Sequence, residues 1–122
     1  MVAIAVASVV WGGCQSNCST ENFTCIGPGE ELEQLIAEQP EIIYLDVRTP
    51  GEIADGKIPN AIEIDVNGGE FEARIAALPK EATYVVYCRS GRRSVKACRI
   101  MAKAGFNKLY NLKGGYQAWS KQ

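Results

Sequence analysis

The sequence predicts an α/β domain built on a mostly parallel sheet with helices on both faces. Short apolar runs rich in β-branched and aromatic residues alternate with stretches of helical periodicity along most of the chain. The run at residues 42–47, Ile-Ile-Tyr-Leu-Asp-Val, is almost continuously apolar, which is typical of a parallel strand covered on both faces. Strands that alternate with helices in this way form parallel sheets. A chain of 122 residues is long enough for one such domain and a short extra segment.

The amino-terminal part differs in composition from the rest. Residues 2–11 are uncharged and apolar, a run too short to span a bilayer as a helix but typical of the central region of a signal peptide. Gly12-Gly13-Cys14 follows and is similar to the end of a bacterial lipoprotein signal, although no Lys or Arg precedes the run. Two interpretations stay open: export to the bacterial periplasm, with or without a lipid on Cys14, or a disordered leader or buried strand in a cytoplasmic protein.

The boundary of the folded domain follows from the next stretch. Residues 17–29 are polar and contain Gly and Pro, which predicts a linker. We therefore expect residues 1–24 to be leader and linker, and residues 25–122 to form the domain. A lipid on Cys14 would be the only contact with a membrane. It would leave Cys18 and Cys25 as a possible disulfide pair in an oxidising compartment.

The first half of the domain is predicted to contain two helices and two strands. One helix begins near Glu30, and its apolar face carries Leu32, Leu35 and Ile36. The strand at residues 42–47 comes next. Residues 49–52, Thr-Pro-Gly-Glu, have the form of a capping box and begin a short helix that ends around Gly56. Apolar and polar residues alternate over 61–66, which predicts a further strand.

The second half continues the alternation. A helical pattern carries Phe71, Ile75 and Leu78 and ends at Pro79. A buried strand at residues 84–87 is followed by a helix over residues 92–104, for which Gly105 is the expected cap. Residues 108–112 predict the last strand, and a terminal helix follows Gly114-Gly115.

Cys88 stands where the strand at residues 84–87 ends and the next helix begins. Open α/β sheets bind ligands at the carboxyl ends of their strands. Three cations and no acidic residue lie within five residues of this cysteine: Arg89, Arg92 and Arg93. Nearby cations and helix amino termini lower the pKa of a thiol, and Gly91 lets backbone N–H groups converge on an anion. The sequence thus predicts a reactive thiolate in a loop suited to small oxyanions such as thiosulfate, phosphate or arsenate.

The composition restricts the chemistry further. The chain has no histidine, which excludes Cys-His dyads, Ser-His-Asp triads and His-based metal sites. Its net charge of −1 gives no field that would collect nucleic acid, and the basic stretch at residues 89–99 lacks interleaved aromatic residues. Cys98 lies on the apolar face of a helix and is expected to be unreactive core. We expect no metal, no cofactor and no nucleic-acid partner.

Residues 88–94, Cys-Arg-Ser-Gly-Arg-Arg-Ser, resemble the active-site loop of the rhodanese family, whose Cys-x-x-Gly-x-Arg pattern is met by Cys88, Gly91 and Arg93. Three other stretches resemble the family in the family's order: residues 44–52, 56–62 and 112–119. The four stretches span about residues 26–121. The resemblance implies a rhodanese-like fold with a five-stranded sheet. The chain departs from the family at Lys57, where His is usual, and at Asn60, where Gly is common.

The resemblance also implies a single-domain thiosulfate sulfurtransferase, which we expect to be a monomer. The Cys88 thiolate would take the outer sulfur of thiosulfate, or of another small sulfur oxyanion, and hold it as a persulfide. Cyanide, a small thiol or a protein thiol would then accept the sulfur. The loop residues would bind the substrate: Arg89, Ser90, Gly91, Arg92, Arg93 and Ser94. Asp46 and Arg48 would support the loop or the Thr49 turn through charge-assisted hydrogen bonds without touching the substrate.

Two alternatives remain at this point. Phosphatases and arsenate reductases of related folds have five residues between the Cys and the Arg of their loop. Here four residues separate Cys88 from Arg93, and Ser94 follows, which favours a loop sized for one sulfur atom. The second alternative is a module that carries or binds persulfide sulfur without turnover of its own.

Overall fold

The computed structural model describes residues 18–122, and the apolar run and Cys14 lie outside the described residues. Its sheet has five parallel strands in the spatial order β1-β5-β4-β2-β3. The strands are β1 (Thr24–Ile26), β2 (Ile42–Asp46), β3 (Ile62–Glu63), β4 (Thr83–Tyr87) and β5 (Leu109–Leu112). The predicted α/β fold with a parallel five-stranded sheet is confirmed.

Five helices connect the strands and cover both faces of the sheet. They are α1 (Glu30–Glu38), α2 (Pro50–Ala54), α3 (Phe71–Ile75), α4 (Arg93–Lys103) and α5 (Gly115–Trp119). No helix within residues 18–122 is long and apolar enough to cross a membrane.

The core has two halves because successive side chains of a strand point to opposite faces. Tyr84 and Val86 of β4 pack on one face with α3 and α4, whereas Val85 and Tyr87 pack on the other face with α1 and α5. All five side chains of β4 are buried. This central strand therefore holds the residue that follows it, Cys88, in a fixed position at the carboxyl end of the sheet.

Most predicted elements appear with bounds that differ by a few residues, and three predictions were wrong in detail. Ile36 is 42% exposed, because it lies about 100° around α1 from Leu35 and off the buried stripe. The strand predicted over residues 61–66 is limited to β3, although backbone hydrogen bonds continue past it to the end of β2. Part of the predicted linker forms β1, an edge strand of three residues paired with β5.

Candidate active site

The Cys88 thiol lies at the carboxyl end of β4 and is almost completely buried. The loop after it turns back so that the Gly91 N–H donates to Sγ over 3.1 Å, and the Ser94 hydroxyl lies 3.5 Å from Sγ. Gly91 has a φ of +105°, which favours glycine, and an added Cβ would lie 3.1 Å from the Gly114 nitrogen. Cys88 therefore sits at the centre of a tight loop whose donors face the sulfur.

Two opposing effects determine the pKa of Cys88. Burial raises this pKa, but hydrogen bonds from the Ser94 side chain and from the backbone N–H groups of Ser94, Gly91 and Ser90 outweigh burial and lower it. Hydrogen bonds that form to the charged state favour that state. The geometry accordingly favours a thiolate, with the loop's own N–H and O–H groups as the main source of its stabilisation.

The segment at the start of α5 holds the first residues of the loop. The Tyr116 N–H donates to the Cys88 carbonyl over 2.8 Å, and the Gln117 N–H donates to the Arg89 carbonyl over 3.1 Å. Gly115 has a φ of +58°, and an added Cβ would lie 2.5 Å from the Cys88 carbonyl oxygen. This close approach of two backbones explains the glycine at position 115, the first residue of α5.

Arg93 forms a bidentate ion pair with Glu52 of α2. Its two terminal nitrogens donate to the two carboxylate oxygens, each over 2.8 Å. Glu52 also completes the predicted capping box, because Thr49 and Glu52 accept from each other's backbone N–H groups. The structure thus places Arg93, expected to bind substrate, in a contact that joins α2 to the start of α4.

Asp46 and Arg48 form a second bidentate pair, which is buried at the end of β2. Arg48 donates to the two Asp46 oxygens over 2.9 and 2.7 Å, and to the Gly56 carbonyl over 2.7 Å. Its guanidinium lies 4.5 Å from the centre of the Tyr116 ring. The pair therefore reaches α5, the helix whose first turn holds the Cys88 carbonyl.

A cavity of about 550 Å³ opens beside the loop. The loop contributes Ser90, Gly91 and Arg92 to its wall, and β5 and the turn after it contribute Asn111, Lys113 and Gly114. Cys18 and Val95 complete the lining. The side chains of Arg89, Ser90 and Arg92 are exposed to solvent. Neither Asn111 nor Lys113 was predicted as a site residue. Asn111 belongs to β5, the strand beside β4, and Lys113 belongs to the turn that follows β5.

The remaining chemically interesting residues take structural positions. Cys98 is fully buried, and burial raises its pKa to about 12, as expected for an unreactive core thiol. Lys57 pairs with Glu63 at the surface, and Asn60 adopts a φ of 68°, a left-handed conformation that Asn tolerates better than most residues. The described part of the chain contains no group of three or more Cys, Asp or Glu side chains placed to hold a metal ion.

Comparison with known proteins supplies the relatives of this chain. A family model described as Rhodanese-like domain matches residues 29–122. A sulfurtransferase from Allochromatium vinosum is 38% identical over 92 residues, which are 75% of this chain and 84% of the relative. The thiosulfate sulfurtransferase GlpE of Pseudomonas aeruginosa is 32% identical over 101 residues, 82% of this chain and 86% of the relative.

A solved structure gives the same result for the fold. The crystal structure of a rhodanese-related protein from Thermoplasma volcanium superposes with a TM-score of 0.68 at 29% identity, covering 80% of this chain and 90% of that protein. The sulfurtransferase relatives support sulfur transfer as the general chemistry of the domain. The matched region contains Cys88, its loop and the segments that hold the loop, and the chain belongs to the rhodanese family.

Proposed function

We propose that this protein moves the sulfane sulfur of thiosulfate, or of a persulfide, through a persulfide on Cys88 to a thiophilic acceptor such as cyanide or a thiol. The observation that carries the proposal is the Cys88 sulfur, which accepts a hydrogen bond from the Gly91 N–H and has the Ser94 hydroxyl beside it. The thiosulfate sulfurtransferase of Pseudomonas aeruginosa, a relative at 32% identity, supports thiosulfate as the donor.

The first step needs a nucleophile that is already ionised. The Cys88 thiolate attacks the outer sulfur of thiosulfate, an Sγ–S bond forms, and the S–S bond of thiosulfate breaks. Sulfite leaves with the electron pair of that bond, so no proton is transferred. The loop hydrogen bonds that lower the pKa of Cys88 supply the thiolate without a general base. This agrees with a chain that contains no histidine.

The cations of the loop have different tasks in this proposal. Arg89 and Arg92 are both exposed, and Arg92 lines the cavity; they attract the thiosulfate dianion and stabilise the departing sulfite. Arg93 donates both terminal nitrogens to Glu52, and we assign it to positioning the loop. The buried Asp46–Arg48 pair supports α5 through the contact of Arg48 with the Tyr116 ring.

The second step returns the enzyme to its starting state. The acceptor attacks the outer sulfur of the Cys88 persulfide, and Cys88 leaves as a thiolate. The Gly91 N–H and the Ser94 hydroxyl stabilise this leaving thiolate just as they stabilise the resting one. Four residues separate Cys88 from Arg93, and this short loop is expected to accommodate one added sulfur atom more readily than a tetrahedral phosphoryl group.

The test measures both half-reactions. Thiosulfate alone should release sulfite and add about 32 Da to the protein, as a covalent persulfide requires. Cyanide should then release thiocyanate and restore the original mass, with ping-pong kinetics over many turnovers. Cys88→Ser should abolish every one of these signals, and its retention of full activity would refute the proposal.

Two other outcomes separate the alternative functions. Persulfide formation without turnover in the presence of cyanide or thiols would identify a sulfur carrier. Hydrolysis of a phosphate ester that is faster than sulfite release from thiosulfate would identify a phosphatase of related fold.

A further inference from the structure

Two cysteines other than Cys88 and Cys98 lie beside the active-site cavity. Cys18 and Cys25 are joined in a disulfide, with their Cα atoms 5.6 Å apart. Cys25 of β1 is buried, whereas Cys18 is only partly buried and lines the cavity together with Ser90, Gly91 and Arg92. Cys18 therefore lies in the wall of a cavity that residues of the Cys88 loop also line.

The strand register puts the pair on the same face of the sheet as Cys88. Asn111 of β5 pairs with Cys25 of β1 on one side and with Val86 of β4 on the other. Val86 and Cys88 are two residues apart and point to the same face. Cys25, Cys88 and the partly buried Cys18 accordingly pack in the same half of the core. Two strand spacings, about 10 Å, separate β1 from β4, and the cavity opens at this end of the sheet.

The side-chain amide of Asn111 contacts both sulfurs of the Cys18–Cys25 disulfide. Its Nδ2 donates to the Cys18 sulfur over 3.4 Å and to the Cys25 sulfur over 3.5 Å. Its Oδ1 is buried and has no hydrogen-bond partner within the described chain. A disulfide has no hydrogen to donate, whereas a thiol has one. Reduction would give each sulfur a hydrogen to donate, and Nδ2, which already faces both sulfurs, would stabilise a thiolate there.

We infer that Cys18 and Cys25, when reduced, are a resolving dithiol that takes the sulfane sulfur from Cys88 and releases it as hydrosulfide. The inference rests on the proposed function, since it requires the Cys88 persulfide. It gives the protein a further activity, the reduction of sulfane sulfur by a dithiol in the same chain.

The chemistry balances in two exchange steps. The Cys18 thiolate, which faces the cavity, attacks the outer sulfur of the Cys88 persulfide; a Cys18–sulfur bond forms, and Cys88 leaves as a thiolate. The Cys25 thiolate then attacks the Sγ of Cys18, the Cys18–Cys25 disulfide forms, and hydrosulfide leaves. Overall, the dithiol loses two electrons and the sulfane sulfur gains two; one thiol proton stays on the hydrosulfide, and the other is released to solvent. An external dithiol resets the pair for the next turnover.

A single-turnover experiment on the full chain tests the inference. Protein is reduced, freed of reductant without oxygen, and mixed with one equivalent of thiosulfate. Sulfite, hydrosulfide, free thiols and intact mass are then measured. The reduced chain should release about one equivalent each of sulfite and hydrosulfide, and should lose two thiols as the Cys18–Cys25 disulfide forms. The rate at which hydrosulfide appears from the formed Cys88 persulfide should not depend on protein concentration, because this transfer occurs within one chain.

Matched forms of the protein isolate the pair. The same chain oxidised beforehand, and a Cys25→Ser variant, should both release sulfite but keep the sulfur as a persulfide, with no hydrosulfide. Cys98→Ala removes a buried thiol outside the site and should behave like the parent chain. Sulfite release shows that each form is folded and active.

The inference would be overturned by a reduced chain that keeps its persulfide while both thiols stay free. Hydrosulfide release from Cys25→Ser at the parent rate would overturn it equally. Sulfite release without hydrosulfide refutes this inference alone. Absence of sulfite from every form refutes the proposed function, and this inference with it.

Discussion

The ion pair between Glu52 and Arg93 offers the sharpest test of how the loop is held. Glu52→Gln removes the charge but keeps Oε1, the oxygen that accepts from Thr49 in the capping box. The substitution therefore keeps the helix cap and the Arg93 hydrogen bond at Oε1, and it removes the charge and the Arg93 hydrogen bond at Oε2. If Arg93 positions the loop, weakening its ion pair with Glu52 should lower the kcat of sulfur transfer several-fold at nearly unchanged KM. The reason is that Arg93 begins the helix that carries Ser94.

The magnitude follows from the pKa of Glu52. The hydrogen bonds from Arg93, aided by those from Thr49, outweigh burial and lower this pKa from 4.5 to about 2. At about 1.4 kcal/mol per pKa unit, the difference corresponds to about 3 kcal/mol. The side chains of Arg93 and Glu52 are 28% and 27% exposed, so solvent screening reduces the contribution of the pair to about 1–2 kcal/mol. Since the folded-state pKa is the lower one, the contribution is complete above pH 4.5 and is lost as the pH falls toward 2.

Urea denaturation at several pH values measures this free energy of unfolding. Glu52→Gln should be less stable than the parent chain at pH 7, and the difference should shrink steadily below pH 4.5. Glu63→Gln, which breaks the more exposed pair with Lys57, is the matched control and should cost under about 0.5 kcal/mol. Equal losses in the two variants, or a loss for Glu52→Gln that does not change with pH, would refute the reasoning. A fall in KM without a fall in kcat would show instead that a released Arg93 binds thiosulfate.

Three further predictions concern the loop and its support. Ser94→Ala removes a hydrogen bond to a charged sulfur worth about 1.5–3 kcal/mol, so sulfite release should slow about 10- to 100-fold at low pH. The difference in the rate of sulfite release between the variant and the parent chain should shrink as the pH rises, because the substitution raises the pKa of Cys88. A difference that does not change with pH would contradict this. Gly115→Ala should destabilise the fold in urea by about 2–4 kcal/mol, since its Cβ meets the Cys88 carbonyl, whereas Gly69→Ala, with open space around its Cβ, should cost about 1 kcal/mol. Arg92→Ala should raise the KM for thiosulfate at low salt and flatten its salt dependence, and an unchanged KM would remove Arg92 from substrate binding.

Local patterns were sufficient to predict the position of Cys88. A run of β-branched and aromatic residues ends at Tyr87, and an amphipathic pattern begins at Arg92, so the cysteine between them had to lie at a strand end. The edge strand β1 was missed because three residues, Thr24–Ile26, are too few to show a period of two. Ile36 was misplaced because an apolar residue next to the buried stripe cannot be told from one within it.

Contacts between distant parts of the chain were not predictable in the same way. Glu52 and Arg93 are 41 positions apart, and Cys18 and Asn111 are 93 apart. Periodicity gives the face of an element on which a side chain lies, but it does not give the partner across the sheet. Glu52 and Arg93 belong to two stretches that follow the neighbouring strands β2 and β4, so opposite charges there were the available signal. For the Cys18–Cys25 disulfide, the corresponding signal was Asn111, the single polar residue in the apolar strand β5.

The source of the thiolate's stability has a consequence for how the site treats its substrate. The largest effects that lower the pKa of Cys88 are hydrogen bonds from Ser94, Gly91 and Ser90, all of which belong to the loop itself. The exposed cations Arg89 and Arg92 are then left to act on the substrate and on departing sulfite. Short-range hydrogen bonds in a buried site are little affected by salt, whereas attraction between an exposed guanidinium and a dianion is screened. Added salt should therefore raise the KM for thiosulfate while the acid limb of the pH–rate profile stays in place. A limb that moves to higher pH with salt would show that the arginines, and not the loop donors, keep Cys88 ionised.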